Sequence, residues 1–209
     1  TNPCGVASAK TIQTAFKKAY ESDKNSSFGG VIILNRKINL NLAKIISNLF
    51  IEAIVAPNFD KSSINFFKKK KKNLILINIK NVKKPKYEIK KTIFGDLYQT
   101  ISNQFIDANF LKLASLRKTS KINMVDLIFA LKVVKHLKSN AIVLVKNKQT
   151  IGVGAGQTNR FEALKIALDK KKNNFSNIDF VCSSDGFFPF TDGLKLLKKN
   201  NCKVIAQPS

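Results

Sequence analysis

The sequence predicts an α/β fold, and three observations carry the prediction. Segments with helical spacing of apolar residues alternate with short β-branched runs along the whole chain. The runs are apolar throughout rather than alternating with polar residues, the pattern of strands buried on both faces. A chain of 209 residues, 44% of them hydrophobic and 9% aromatic, can also fill one large or two small cores. That excludes wholesale disorder, although 37 Lys and Arg stand against 13 Asp and Glu, for a formal net charge of +24. No apolar run approaches the roughly 20 residues a membrane helix needs, and no basic stretch followed by a greasy one opens the chain. A soluble, cytoplasmic protein is the expectation. Because the sequence opens on Thr1 rather than Met, it also reads as a piece of something longer.

Ile12, Ala15, Phe16 and Ala19 share one face of a helix expected over 9–20, which the polar run 21–27 breaks. Phe28-Gly29-Gly30 opens into a strand at 31–34, and Leu42, Ile45, Ile46 and Leu49 mark a second helix. Residues 53–56 read as the next strand, stopped by Pro57. A helix around Ile64 and Phe67 runs into the lysine cluster 68–72, and 74–79 is another buried-type strand. Residues 81–91 are charged, carry Pro85 and lack an apolar period, so they make the best internal boundary. A single strand is expected around 91–100. Leu127, Ile128, Leu131 and Val134 then give the strongest helical pattern, 124–138. Apolar runs at 141–145 and 150–153 flank Lys146-Asn147-Lys148-Gln149 as a hairpin. A glycine-rich turn leads to a helix over about 159–171, followed by a strand at 180–183, a helix at 191–200 and a strand at 204–206. The expected organisation is two sheet-and-helix units, 1–80 and 124–209, with a connecting strand and irregular segment at 81–123.

The charge is almost all lysine: the arginines are Arg36, Arg117 and Arg160, leaving 34 lysines. A surface built to read phosphates or bases favours the planar guanidinium fork, so the runs 68–72 and 170–172 read either as solvated surface or as a polyanion contact. Cys4, Cys182 and Cys202 are odd in number and widely spaced, which supports neither a disulfide framework nor a zinc cage. The lone histidine, His136, cannot assemble a multi-histidine metal site and sits at the end of a helical pattern. No metal site is expected.

Two stretches stand out for chemistry. Gly152-Val153-Gly154-Ala155-Gly156 leads through Gln157-Thr158-Asn159 to Arg160 between a strand and a helix, where backbone amides and the helix's positive end can receive an anion. The alternative is a glycine-rich turn that only permits tight packing; the adjoining Arg160 tilts the reading toward ligand contact. Ser183-Ser184-Asp185-Gly186-Phe187-Phe188-Pro189-Phe190-Thr191-Asp192 places three phenylalanines in a polar turn after a strand. These rings are either core, or the walls of a place where a flat heterocycle stacks and Asp185 hydrogen-bonds it.

TNPCGVASA, SSFGGVIILNR, FIEAIVAP, the lysine run before Asn73, IFGDLYQT, VVKHLKSNAIVLVKN, QTIGVGAGQTNR, SSDGFFPFTDG and VIAQPS follow one another in that order. Together they resemble the transformylase half of the AICAR transformylase/IMP cyclohydrolase family, over essentially all 209 residues. The resemblance implies a duplicated cytidine-deaminase-like fold without the deaminase zinc, and a homodimer with active sites at the subunit interface. It implies formyl transfer from 10-formyltetrahydrofolate to the 5-amino group of AICAR, a step of de novo purine biosynthesis. It leaves room for a structural potassium ion, and calls for neither a specific nucleic-acid partner nor a membrane.

Residue by residue, Asn140 matches an asparagine beside the transferring formyl group, where its side-chain amide would donate to the developing oxyanion. Arg160 and Phe187 match nucleotide contacts, Gly29 and Glu52 match residues near the ribose, and Lys72 matches a phosphate-binding lysine, with one position of latitude in the run. Phe161 and Asp192 match folate contacts. The family carries a Lys-His base pair just ahead of the stretch matched by Thr1, further contacts beyond Ser209, and an amino-terminal cyclohydrolase domain. The resemblance therefore implies a piece truncated at both ends and inactive alone. Gly186 stands where alanine is usual, and Asp96 where glycine is frequent. A rival from another class is a lysine-rich nucleic-acid-binding protein, which would show tight binding with a steep salt dependence.

Overall fold

The computed structural model describes residues 2–80, 85–101, 106–115 and 119–208. Thr1, Arg117 and the first part of the expected 81–91 boundary lie outside the described residues. The chain is a mixed α/β protein with a three-stranded, a two-stranded and a four-stranded sheet.

In the amino-terminal unit, helices α1 (Ile12–Ser22), α2 (Leu40–Ile46) and α3 (Lys61–Lys70) alternate with strands β1 (Gly30–Ile33), β2 (Ile51–Ala56) and β3 (Ile75–Asn78). The strands pair in parallel in the order β1-β2-β3. Two of the helices start on side-chain caps that satisfy otherwise orphaned amides: Thr11 accepts from the Thr14 amide and Asn39 from that of Leu42. Phe16, Ile38, Leu42, Ile46, Ile54, Phe59 and Phe67 form the core between the helices and one face of this sheet. The opposite face is open: Val31, Ile33, Ile75 and Ile77 lie on it and are exposed. Strands buried on both faces were expected, and among the described residues this sheet is covered on one only. Its outward residues are as apolar as its inward ones, so the sequence pattern could not distinguish the two faces.

The strand expected at 91–100 is instead a hairpin of β4 (Tyr87–Thr92) and β5 (Gly95–Thr100). Its two-residue tip is Ile93-Phe94, closed by Gly95 at φ +123° and by the Thr92 hydroxyl, which donates to the Gly95 carbonyl at 2.7 Å. Apolar residues at the tip concealed the turn. A 3-10 turn (Ala108–Phe110) precedes the second unit.

That unit contains α4 (Lys121–Val134), β6 (Ile142–Lys146), β7 (Gln149–Gly154), α5 (Arg160–Asn174), β8 (Phe180–Ser184), α6 (Thr191–Lys199) and β9 (Cys202–Ala206). The sheet order is β7-β6-β8-β9, antiparallel except for the β8–β9 pair. It is packed on both faces. Ile142, Leu144, Phe180 and Cys182 meet Ala163, Leu164 and Ala167 of α5 and Leu197 of α6. Val143, Val145 and Val181 meet Leu127, Ala130 and Val133 of α4 on the other side. Helix α4 ends at Val134, four residues short of the expected 138; the carbonyls of its last turn are met by the Lys135, His136 and Leu137 amides. Helix α1 docks onto this unit: Gln149 Nε2 donates to the Lys18 carbonyl at 2.8 Å, the Thr150 and Ser22 hydroxyls meet at 3.1 Å, and Lys170 pairs with Asp23 at 2.8 Å.

Candidate functional site

The antiparallel course of the second sheet brings four chain segments to one of its ends: the residues before β6, those after β7, and those after β8 and β9. Glycines make the arrangement compact. A Cβ on Gly152 would lie 3.0 Å from the Ala167 carbonyl carbon, and one on Gly154 would lie 2.8 Å from that of Ala163. Both glycines therefore let α5 press onto β7. Gly156, at φ +71°, supplies the left-handed turn, and its amide donates to the Lys138 carbonyl at 2.7 Å. The glycine pattern is thus a packing and turning device, and what it delivers to the sheet end is Arg160 at the start of α5. Asn159 caps that helix by accepting from the Glu162 amide at 2.8 Å.

Arg160 holds the site together. Its Nε donates to the Phe187 carbonyl at 3.0 Å, and its Nη1 donates to the Ser184 hydroxyl at 2.8 Å and pairs with the Asp185 carboxylate. The Arg160 and Asp185 side chains are 14% and 15% exposed, so solvent screens this ion pair only partly. Burial acts to raise the Asp185 carboxyl's pKa. Hydrogen bonds from the Ser139 hydroxyl, the Ala141 amide and Arg160, with the charge of Arg160, outweigh it and hold the group below the usual carboxylate range. Of the two readings left open for this turn, the one in which Asp185 hydrogen-bonds a heterocycle meets a carboxylate already bonded to the protein.

Asn140 lies beside this pair. Its Nδ2 donates to the Gln157 carbonyl at 3.0 Å and to the Thr158 carbonyl at 3.2 Å, so neighbouring acceptors fix which way the amide points. Both amide hydrogens expected to serve an oxyanion are engaged, and Oδ1 is the atom Asn140 can offer. Phe187 and Phe190 are exposed, whereas Phe188 is half-buried against the core of α5 and α6. One stretch of sequence thus supplies both wall and core. The Phe188 amide donates to Gln207 Oε1 at 3.0 Å, tying the turn to the end of β9, and the Lys138 amide donates to Asn2 Oδ1 at 2.8 Å. Sequence reasoning missed Ser139, Ser184, Asn2 and Gln207; polar residues beside strand ends were the available signal.

Of the remaining candidates, Phe161 is half-buried on α5 with the Lys165 ammonium 4.8 Å from its ring centroid. Asp192 is exposed in the first turn of α6, where it accepts from the Gly193 amide at 2.6 Å. Gly29, Glu52 and Lys72 form a separate group on the first sheet, at or just before the amino-terminal ends of β1, β2 and β3. Gly29, at φ +66°, donates to the Phe50 carbonyl at 2.9 Å, and a Cβ there would lie 3.8 Å from Glu52 Oε1. Phe28 and Phe50 lie beside them with ring centroids 4.8 Å apart and planes tilted by 31°. Lys72 is exposed in the turn after α3, whereas the neighbouring Lys71 ammonium donates to the Leu49 carbonyl at 3.2 Å. That leaves Lys72 as the freer of the two. Among the described residues no three His, Cys, Asp or Glu side chains gather as a metal site.

Residues 1–170 match the family described as AICARFT/IMPCHase bienzyme. The bifunctional purine biosynthesis protein PurH of Fusobacterium nucleatum is 44% identical over 209 residues, covering 100% of this chain and 41% of that protein. The protein of the same name from Persephonella marina is 41% identical and that from Buchnera aphidicola 43%, each across 99% of this chain and 40% of the relative. The chain thus spans about 40% of the length of the curated relatives it matches.

Proposed function

The chain belongs to the AICARFT/IMPCHase bienzyme family, and from that premise we propose that it serves as the phosphoribosylaminoimidazolecarboxamide formyltransferase part of a bifunctional protein. The reaction moves a formyl group from N10 of 10-formyltetrahydrofolate to the 5-amino group of AICAR. A C–N bond forms at the attacking amine, the N10–C bond breaks, the amine gives up a proton and N10 takes one up, releasing tetrahydrofolate. The observation that carries the reading is the convergence of Asn140, Arg160 and the Phe187 turn at one sheet end.

A weak aromatic amine attacking a formamide needs alignment above all, and fixed groups supply it without reorganising during the reaction. Arg160, braced on three sides, is suited to hold the anionic nucleotide, with Phe187 as a face for the imidazole ring. Asn140 Oδ1 accepts from the amine and orients it, while donation to the formyl oxyanion requires release of one carbonyl bond. Gly29, Glu52 and Lys72 take the ribose and phosphate, and Phe161 and Asp192 the folate. A carboxylate held low in pKa is a poor base near neutral pH, so Asp185 does not take the proton. The resemblance assigns that step to a Lys-His pair outside these 209 residues.

The nucleotide contacts divide between two sheets, which supports a homodimer whose subunits complete each other's sites, as does the open apolar face of the first sheet. The hairpin followed by helix–strand–helix–strand in the second unit, 124–209, supports a cytidine-deaminase-like fold there, whereas the all-parallel β1-β2-β3 sheet of 1–80, with 81–123 following it, shows no such opening hairpin among the described residues, so the duplication rests on the resemblance. A structural potassium ion, for which the resemblance leaves room, would be held by carbonyl and hydroxyl oxygens rather than by a cluster of acidic, thiol or imidazole side chains. No step is assigned to a metal. The reading carries a cytoplasmic setting with it; no described helix is long and apolar enough to cross a membrane.

The test is AICAR-dependent release of tetrahydrofolate by the complete gene product. Steady turnover is expected, and Arg160→Ala is expected to raise KM for AICAR about a hundredfold, the scale of a lost charge-assisted contact. Absence of AICAR-dependent release would refute the assignment.

A further inference from the structure

The charged groups at the sheet end satisfy one another in a way that singles out Asp185. Its Oδ1 accepts from the Ala141 amide at 3.0 Å and pairs with Arg160 Nη1, and the Ser139 hydroxyl also donates to the carboxylate. In return the Asp185 amide donates to the Ala141 carbonyl at 3.2 Å. One side chain therefore ties the stretch just before β6, which carries Asn140, to the start of α5, which carries Arg160. With Nε and Nη1 engaged by Phe187, Ser184 and Asp185, Nη2 is the guanidinium nitrogen without a hydrogen-bond partner among the described residues.

We propose that Asp185 is a positioning residue for formyl transfer, fixing the Arg160 guanidinium for the nucleotide and, through Ala141, the peptide that presents Asn140 to the amine. The inference rests on the transformylase reading. Asp185 touches neither substrate; it acts by setting two groups that do. A displacement of about 1 Å at such a group costs on the order of a hundredfold in rate.

The test uses Asp185→Asn in the complete gene product; the variant keeps an oxygen for the Ala141 amide and removes the charge. KM for AICAR is expected to rise about tenfold and kcat to fall about tenfold, with KM for 10-formyltetrahydrofolate within about twofold of the parent. A purely structural residue would lower the amount of active enzyme and leave both KM values alone. In an Arg160→Ala background the further rise in AICAR KM is expected to vanish, because the residue through which Asp185 acts is gone. A folded Asp185→Asn enzyme with unchanged AICAR KM, or a further rise in AICAR KM of the same size in the double variant, overturns the proposal. Should Asp185→Asn fail to fold, Ser184→Ala removes Arg160's other Nη1 acceptor. It is expected to raise AICAR KM about threefold, and no rise overturns the proposal. Calorimetric titration with AICAR separates the two ideas: if the parent binds AICAR more tightly than Asp185→Asn yet transfers no formyl group, positioning stands and the transformylase reading falls.

Discussion

Arg160 is held by a hydroxyl, a carboxylate and a backbone carbonyl, and the residue facing it, Gly186, has no side chain. A Cβ at 186 would lie 3.0 Å from Arg160 Cζ and closer still to Nη2. Alanine at this position, usual in the resembling family, must shift the guanidinium here. Gly186→Ala is expected to raise KM for AICAR severalfold while moving stability by no more than about 1 kcal/mol, because the clash meets a flexible side-chain end. Kinetics alongside thermal unfolding check both parts. The thiols give an independent residue-scale test. Burial pushes Cys182 well above the ordinary thiol range and Cys202 up to about 12, so neither presents thiolate near neutral pH. At pH 8 iodoacetamide is expected to leave both unmodified in the native protein and to label them only after unfolding, as mass spectrometry would show. Arg160 stood out in the sequence because arginine is rare here. The role of Asp185 did not, since nothing in SSDGFF says whether a carboxylate faces a ligand or a guanidinium 25 residues away.

Among the elements, the β6–β7 hairpin shows how a buried charge specifies a turn. Asn147 and Lys148 both have positive φ, 51° and 53°, the geometry that matches the twist of a two-residue hairpin. Their amides donate, each at 2.8 Å, to the two carboxylate oxygens of Asp126 on α4, a residue only 2% exposed. Asp126→Ala would strand two amides and is expected to cost about 2–4 kcal/mol by chemical denaturation. A loss under about 0.5 kcal/mol would show that water replaces the carboxylate. This hairpin was legible because its turn is polar and its flanks apolar. The β4–β5 hairpin was read as one strand because its tip, Ile93-Phe94, is as apolar as a strand. The glycines before Arg160 were legible as punctuation only. Their purpose, close contact of β7 with α5, depends on a helix placed by tertiary packing.

For the whole molecule, the excess of lysine and the paired carboxylates set the response to salt and acid. On the proposed transformylase reading two anionic substrates would approach a chain of formal charge +24, so KM for AICAR is expected to rise with ionic strength as the field is screened. At Asp179 the bond from the Lys146 ammonium holds the carboxyl low; at Asp23 and Asp185 burial raises it, but bonds from Lys170 and Ser26, and from Ser139, Ala141 and Arg160, prevail. All three pKa values lie below the unfolded value, so their stabilisation is complete above about pH 4 and is lost as pH falls through the lower folded values. Melting temperature is expected to hold from pH 8 to 5 and to fall steeply below 4. The α/β class was legible because periodicity reports local structure. The one-sided burial of the first sheet was not, because its uncovered face is apolar too. The central claim is that the second sheet's end receives the nucleotide, and hydrogen exchange of the complete protein with and without AICAR tests it most directly. Protection is expected in 139–141, 157–161 and 184–188; protection confined to other segments, with these unchanged, would contradict the account.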